Sequence, residues 1–235
     1  MREFAQQLKW QMMILHKNNL INISVAVTVI YALIFYAIRH LGDLDKLLTL
    51  LIFNDPAVIG LLFIGLGFLI EKNQRVLSVF MVAPQSMHAY LLSRMVSLTI
   101  IGTLCALGMA FFAKGLEFNI AQFTLGALST CFIFSCIGLI IVSYSNEFLV
   151  YLLKSIPVLF AMALPMLNYF DITQVSAFQL LPVQGPLSLM AYSYNTSAAE
   201  NSMILAVLGS VVWCVVLYAA SFYVFKKRLQ HEPIA

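Results

Sequence analysis

Charged residues are scarce in this sequence. Of its 235 residues only 10% are Asp, Glu, Lys or Arg, whereas 62% are hydrophobic. Soluble domains carry about a quarter charged residues and about half apolar ones. A soluble chain of this composition would expose a large apolar surface to water, which excludes an ordinary soluble globular protein. The composition instead predicts a chain whose solvent is the lipid bilayer.

The sequence lacks the spacings of a metal site. Its four cysteines show no Cys-x-x-Cys spacing, and its four histidines are scattered through polar segments. We interpret the cysteines as small buried side chains because all of them lie in apolar runs: Cys105, Cys131, Cys136 and Cys214. We therefore expect no metal and no cofactor in this chain.

Catalytic motifs are absent as well. The sequence contains no G-x-x-x-x-G-K-[ST], no H-E-x-x-H and no G-x-S-x-G, so it predicts neither P-loop nucleotide binding nor the corresponding hydrolases. The net charge of +3 comes from sparse basic residues that flank apolar runs, which does not indicate nucleic-acid binding.

Six apolar runs approach the ~20 residues that a helix needs to cross the hydrocarbon core. The runs are Leu20–Ile38, Pro56–Ile70, Met95–Ala113, Ala121–Ser143, Phe148–Leu167 and Met203–Phe225. The second run is short, and its helix either starts before Pro56 or continues past Glu71. The fold class is therefore an all-α membrane protein with six transmembrane helices in one domain, residues 1–235.

We expect the charges to lie outside these spans or at their edges. The exception is Lys154, whose long stem can reach the interface. No Asp, Glu or His is expected at mid-membrane depth, which argues against proton-coupled transport and against an intramembrane hydrolase.

The basic residues also predict the orientation. Ten Lys and Arg residues flank one side of the six spans and three flank the other. Because loops rich in Lys and Arg stay in the cytoplasm, both termini are predicted to be cytoplasmic, in a multi-pass protein of the plasma or bacterial inner membrane.

The N-terminal segment, residues 1–17, predicts an amphipathic helix lying in the membrane interface. Its apolar residues fall within about 100° on a helical wheel, with polar residues opposite and Trp10 near the boundary. The apolar stripe consists of Met1, Phe4, Ala5, Leu8, Met12 and Leu15.

The loop after the second span, residues 71–94, is apolar in its first half. Pro84 disfavours helix for the residue before it and suits the start of a new helix. The pattern predicts a short helix that ends at Ala83–Pro84, followed by a second helix running into the third span. The apolar surface needs a partner, which is either the inner leaflet or another protein.

The segment before the last span, residues 168–202, is apolar but interrupted by Pro182, Gly185 and Pro186. It is too short to cross the membrane twice, and it predicts a re-entrant pair of short helices covered by protein.

Polar residues within the first span have two interpretations. Asn22, Thr28 and Tyr31 either line a transport pathway or form bonds between helices, and the second is slightly favoured.

The chain resembles the ABC-2 type permeases, the membrane subunits of ABC exporters. The resemblance lies in the six spans, the amphipathic N-terminal helix, the structured loop after the second span and the re-entrant pair before the last span. Glu71 matches the Glu that ends the second span in that family, and Ala83-Pro84 matches its proline step. Ser93-Arg94 stands where the family has Gly-Lys. Arg75 replaces a usual Gly, and Ser78 replaces a usual acid. Gln179-Leu180-Leu181-Pro182 also looks like the family's leucine-proline step.

The resemblance implies that the loop from Glu71 to Pro84 is a coupling helix seated on a separate cytoplasmic ABC ATPase subunit. The implied interface residues are Glu71, Arg75, Val76, Leu77, Phe80, Met81 and Pro84. ATP and Mg would be bound by that partner, and two permeases, either two copies of this chain or related chains, would form the pore. An intramembrane lipid-modifying enzyme and a non-catalytic assembly subunit are the alternatives.

Overall fold

The computed structural model describes residues 2–17, 19–38, 45–74, 86–173, 175–194 and 200–231. Within these residues every regular element is helical and no strand occurs, which suits a backbone that must satisfy its own hydrogen bonds in lipid. A short 3-10 helix, Ser176–Leu180, precedes α8. The α-helices are α1 Arg2–Lys17, α2 Leu20–Ile38, α3 Asp45–Asn73, α4 Met87–Lys114, α5 Ile120–Val142, α6 Phe148–Ala163, α7 Pro165–Tyr169, α8 Gln184–Tyr194 and α9 Glu200–His231.

Five stretches are long and apolar enough to cross a membrane: Thr49–Asn73, Met87–Lys114, Ile120–Val142, Phe148–Tyr169 and Ser202–Arg228. They coincide with the second to sixth predicted spans. The first predicted span coincides with α2, which has 19 residues. Helices α1 and α2 meet at a bend of 66°, and a sixth candidate span is counted only if this bent pair is taken as one span.

The second span is longer than its apolar run. Helix α3 contains Pro56 in its interior and continues through Glu71 to Asn73, so the predicted extension occurs at both ends. The prediction that charges lie outside the spans or at their edges was therefore wrong for Asp55, which lies inside α3 and is buried. The apolar run begins at Pro56, which put Asp55 at the edge of the predicted span, but a membrane helix tolerates an interior proline.

Helix α1 is amphipathic as predicted, and the C-terminal part of its apolar stripe faces the bundle. Leu15 is buried and Met12 packs against the core, whereas Trp10 and Met13 are exposed. The helix packs on α4. Its placement in the membrane interface stays a prediction.

Helix α5 lies at the centre, where it packs against α3, α4, α8 and α9. Helix α6 closes on α3 through Tyr151, whose ring covers Gly65 and whose hydroxyl donates a hydrogen bond to the carbonyl of Leu61. A side chain at Gly65 would overlap that ring, so this glycine permits the close approach of the two helices.

The segment before the last span contains two short helical pieces, the 3-10 helix and α8. Helix α8 buries Leu187 and Met190 between α5 and α9, so protein covers it, as the sequence predicts. Its depth in the membrane stays a prediction.

Candidate functional site

The candidate site lies at the end of the bundle from which residues 75–85 emerge, between α3 and α4; we call it the loop end. It is built from the last turn of α3, the first two turns of α4 and the C-terminal part of α9. Ser86 begins α4, and its side chain accepts a hydrogen bond from the backbone N–H of Ala89. This cap fixes where the loop stops and the third span starts.

Three polar side chains form a buried cluster at the loop end. Arg94 Nη1 donates to Glu71 Oε2 at 2.6 Å and to the Tyr90 hydroxyl at 2.8 Å. The Tyr90 hydroxyl donates in turn to Glu71 Oε2. Glu71 ends one helix and Arg94 lies two turns into the next, so the cluster ties α3 to α4 directly beneath the loop. A buried ion pair that loses one partner leaves an uncompensated charge, which makes this connection costly to break.

Aromatic rings enclose the cluster. The Arg94 guanidinium carbon lies 4.4 Å from the centroid of the Phe68 ring, which also packs edge-on against Phe225 of α9 at 5.0 Å. Gly67 faces the guanidinium, and a Cβ there would overlap it. The last span is therefore packed onto the same ion pair that ties the second and third spans.

A second contact joins the start of α4 to α9. The His88 ring stacks on Phe222 with 3.5 Å between centroids, and His88 Nδ1 lies 3.3 Å from the Tyr218 hydroxyl. At the turn between α5 and α6, Lys72 donates to Asn146 Oδ1 at 3.0 Å. These contacts make the base of the loop a junction of most of the long helices.

Basic and aromatic side chains also line a recess at this end. A cavity of about 280 Å³ is bordered by Tyr144, Tyr223, Val224, Lys227 and Arg228. The Arg228 guanidinium lies 4.2 Å from the Tyr144 ring centroid, and Lys154 donates to the carbonyl of Tyr144. The Lys154 side chain thus extends to the turn before α6, and its reach to the membrane interface stays a prediction.

Of the predicted interface residues, the structure places Glu71. Its carboxylate is turned into the bundle, with the residue 8% exposed, so it anchors the loop rather than standing on the loop surface. The other predicted interface residues lie outside the described residues: Arg75, Val76, Leu77, Phe80, Met81 and Pro84.

The predicted pathway residues do not converge on one surface. Asn22 is exposed and bonds to Asn19, whereas Thr28 is buried and donates to the carbonyl of Ser24 at 2.8 Å. Tyr31 packs partly against the core. The hydrogen bonds described for Asn22 and Thr28 stay next to or within α2.

Two features were missed from the sequence. The sequence predicts Glu71 at the end of a span and Arg94 among the cytoplasmic charges, although opposite charges at the facing ends of adjacent antiparallel spans indicate a pair. Asp55 was missed because the predicted span was limited to the apolar run that begins at Pro56. Across the described residues no group of three or more His, Cys, Asp or Glu side chains is placed to hold a metal ion.

Residues 2–232 match the fluoroquinolones export permease protein family. The chain is also 26% identical over 146 residues to the fluoroquinolones export permease proteins of two strains of Mycobacterium tuberculosis. The matched region covers 60% of this chain and 60% of those relatives. The predicted resemblance to ABC-2 type permeases is confirmed by the family match.

Proposed function

The chain belongs to the fluoroquinolones export permease protein family, and on that premise we propose that it is the membrane subunit of an ATP-driven exporter of amphipathic molecules. A separate ABC ATPase binds ATP and Mg and supplies the energy. The proposal rests mainly on the buried Glu71–Tyr90–Arg94 cluster at the base of the loop after the second span.

The cluster supports a coupling role for the loop. An ATPase that pulls on residues 75–85 can move the spans only if the ends of the loop are fixed to rigid elements. Glu71 and Arg94 fix them to each other, and Phe68 extends the attachment to α9 through Phe225. Motion of the loop is then transmitted to three spans as a rigid-body rotation.

The cargo we propose is a hydrophobic or amphipathic compound of the fluoroquinolone type. The name of the relatives supports this class, and so does a chain with few charged residues, since such a wall favours apolar contact with cargo. The matched region spans about 60% of the length of those relatives, so their cargo is carried over only as a proposal.

We propose that a second permease covers part of the exposed apolar surface. The lipid-facing sides of α2, α6 and α9 are rich in large apolar side chains, including Leu33, Leu153 and Val215. A pathway between two copies of this chain, or between this chain and a related one, would use part of that surface, and lipid would cover the rest.

The basic residues at the loop end support a proposal for the orientation of the chain in the membrane. The loop end carries Lys72, Lys226, Lys227 and Arg228 beside the recess at Tyr144. We propose that this end faces the cytoplasm, where basic residues accumulate and where an ATPase would dock.

The test uses two acidic substitutions in the same loop. Leu77→Asp and Phe80→Asp are expected to abolish copurification of the ATPase with the tagged chain in mild detergent. Ser78→Asp is the matched control, since it introduces the same charge at the position where the resembling family has an acid. It should retain the ATPase.

Each outcome separates the candidate functions. Loss of the ATPase with the two apolar substitutions but not with Ser78→Asp supports the exporter. Copurification that survives all three substitutions would remove the coupling role. Purification of the wild-type chain from its host without any P-loop ATPase would favour the assembly subunit or the lipid-modifying enzyme.

A further inference from the structure

Asp55 is a buried acid inside the second span. It is 4% exposed, and its Oδ2 atom has no hydrogen-bond partner among the described residues. Buried carboxylates are ordinarily paired, because removing an isolated charge from water is costly. The anchoring cluster at the loop end does not include this side chain, which leaves it without an assigned role.

Uncharged polar groups lie near Asp55 on the neighbouring helices. The thiols of Cys105 on α4 and Cys131 on α5 lie within electrostatic range of the Asp55 carboxylate. The Cys131 thiol and the side chain of Ile59, one turn from Asp55 along α3, both face Gly102 of α4. The Thr28 hydroxyl of α2 lies beside the Cys105 thiol. These groups lie in the region where α3 packs against α4 and α5 and where α2 packs on α4.

The neighbouring helices supply no counter-ion from within the described residues. Helices α2, α5 and α8 contain no Asp, Glu, Lys, Arg or His at all. The basic residues of α4 are engaged at its two ends, Arg94 with Glu71 and Lys114 near the Tyr194 ring. Lys154 of α6 donates to the carbonyl of Tyr144. No ion pair to Asp55 occurs among the described residues, and a positively charged ligand would supply one.

We propose that Asp55 binds the cationic nitrogen of the cargo. The proposal rests on the exporter function above and names the charge class of its substrate. A metal ion fits poorly, because no group of three or more His, Cys, Asp or Glu side chains among the described residues, Asp55 included, is placed to hold one. An organic ammonium needs only one carboxylate together with apolar and hydroxyl contacts.

Helix α2 provides the route by which the cargo would reach Asp55. It is attached along a narrow stripe that includes Ser24 and Thr28, whereas Val25, Val29 and Ile30 on its other sides are about half exposed. Thr28 also faces Gly108 of α4 at the same level. Movement of α2 away from α4 would uncover the acid, and return of the helix would enclose the bound cation in an apolar environment that strengthens the ion pair.

The experiment measures binding by the full chain in lipid nanodiscs. The probes are a fluoroquinolone with a basic piperazine nitrogen and the N-acetylated derivative of the same compound, which is uncharged at that nitrogen. A charge-assisted hydrogen bond predicts that the wild type binds the basic compound about tenfold more tightly or better. Asp55→Asn should reduce that preference to less than about twofold, since the amide keeps the shape but not the charge. Asp55→Glu should retain it.

Two results would overturn the assignment: equal affinity of the wild type for both compounds, or a preference that persists in Asp55→Asn. Loss of binding of both compounds in Asp55→Asn, with a normal thermal transition, would also contradict it, because binding of the uncharged compound should not depend on the charge of Asp55. Export of the basic compound from cells expressing the wild type is measured separately. If the wild type binds the basic compound selectively but cells do not export it, the exporter function is refuted and the assignment of the binding site stands.

Discussion

Glu71 and Arg94 lie 23 residues apart in the chain, and their side chains meet at 2.6 Å in the interior of the bundle. The side chains are 4% exposed for Arg94 and 10% exposed for Glu71. The pair closes the segment between the second and third spans at its base, so whatever displaces that segment acts on both helices at once.

The ion pair predicts a large loss of stability when one charge is removed. Glu71→Gln leaves the Arg94 guanidinium buried without a counter-charge, which is expected to cost about 3–5 kcal/mol and to lower the thermal midpoint of the detergent-purified protein. Adding Arg94→Met removes the orphan charge and should recover much of the loss. Lys154→Gln, which changes an exposed cation, is the control and should leave the midpoint nearly unchanged. Equal midpoints for Glu71→Gln and Lys154→Gln would contradict this role.

Close helix packing predicts that alanine substitutions at two glycines have different effects on stability. Gly65 lies under the Tyr151 ring, whereas no atom of the described residues lies within 4 Å of the position of a Cβ at Gly209 on α9. Gly65→Ala should therefore destabilise the protein by about 1–3 kcal/mol through overpacking. Gly209→Ala should be neutral or slightly stabilising, because alanine is the better helix former. Thermal midpoints in one detergent provide the comparison, and a Gly65→Ala midpoint at or above that of Gly209→Ala would refute the packing account.

The predicted orientation is testable at two exposed positions on opposite ends of the bundle. Ser176, at the start of the 3-10 helix, and Glu147, at the turn before α6, are both exposed. In a background with Cys214→Ser, Ser176→Cys should react with a membrane-impermeant maleimide in intact cells. Glu147→Cys should react only after permeabilisation. The reverse pattern would invert the topology.

The amphipathic character of α1 predicts that Trp10 lies at a shallow depth in the membrane. Trp10 is 57% exposed on the side of α1 opposite Leu15, and the sequence places it at the membrane boundary. The chain has two tryptophans, so Trp213→Phe leaves Trp10 as the fluorophore. In vesicles its emission should be quenched best by lipids brominated near the headgroup. Quenching dominated by aqueous iodide would place α1 outside the interface.

Much of the architecture was predictable because lipid imposes a simple rule. A segment crossing the bilayer must be helical and apolar over ~20 residues, and both properties can be read from the sequence. The spans from Met95–Ala113 onward were located to within a few residues at most boundaries, with α4 the exception because its first two turns carry His88 and Arg94. The start of α3 could not be located from the sequence for a similar reason, since Asp55 and Pro56 interrupt the apolar pattern without ending the helix.

The sequence by itself determined that this chain is a helical membrane protein, because composition alone decides whether lipid or water is its solvent. The amphipathic stripe of α1 and the family pattern around Glu71 were also present in the residues. Only the tertiary structure decided which polar side chains meet. It paired Glu71 with Arg94 and left the Oδ2 atom of Asp55 without a partner among the described residues, since such outcomes depend on which helix faces approach each other and not on spacing along the chain.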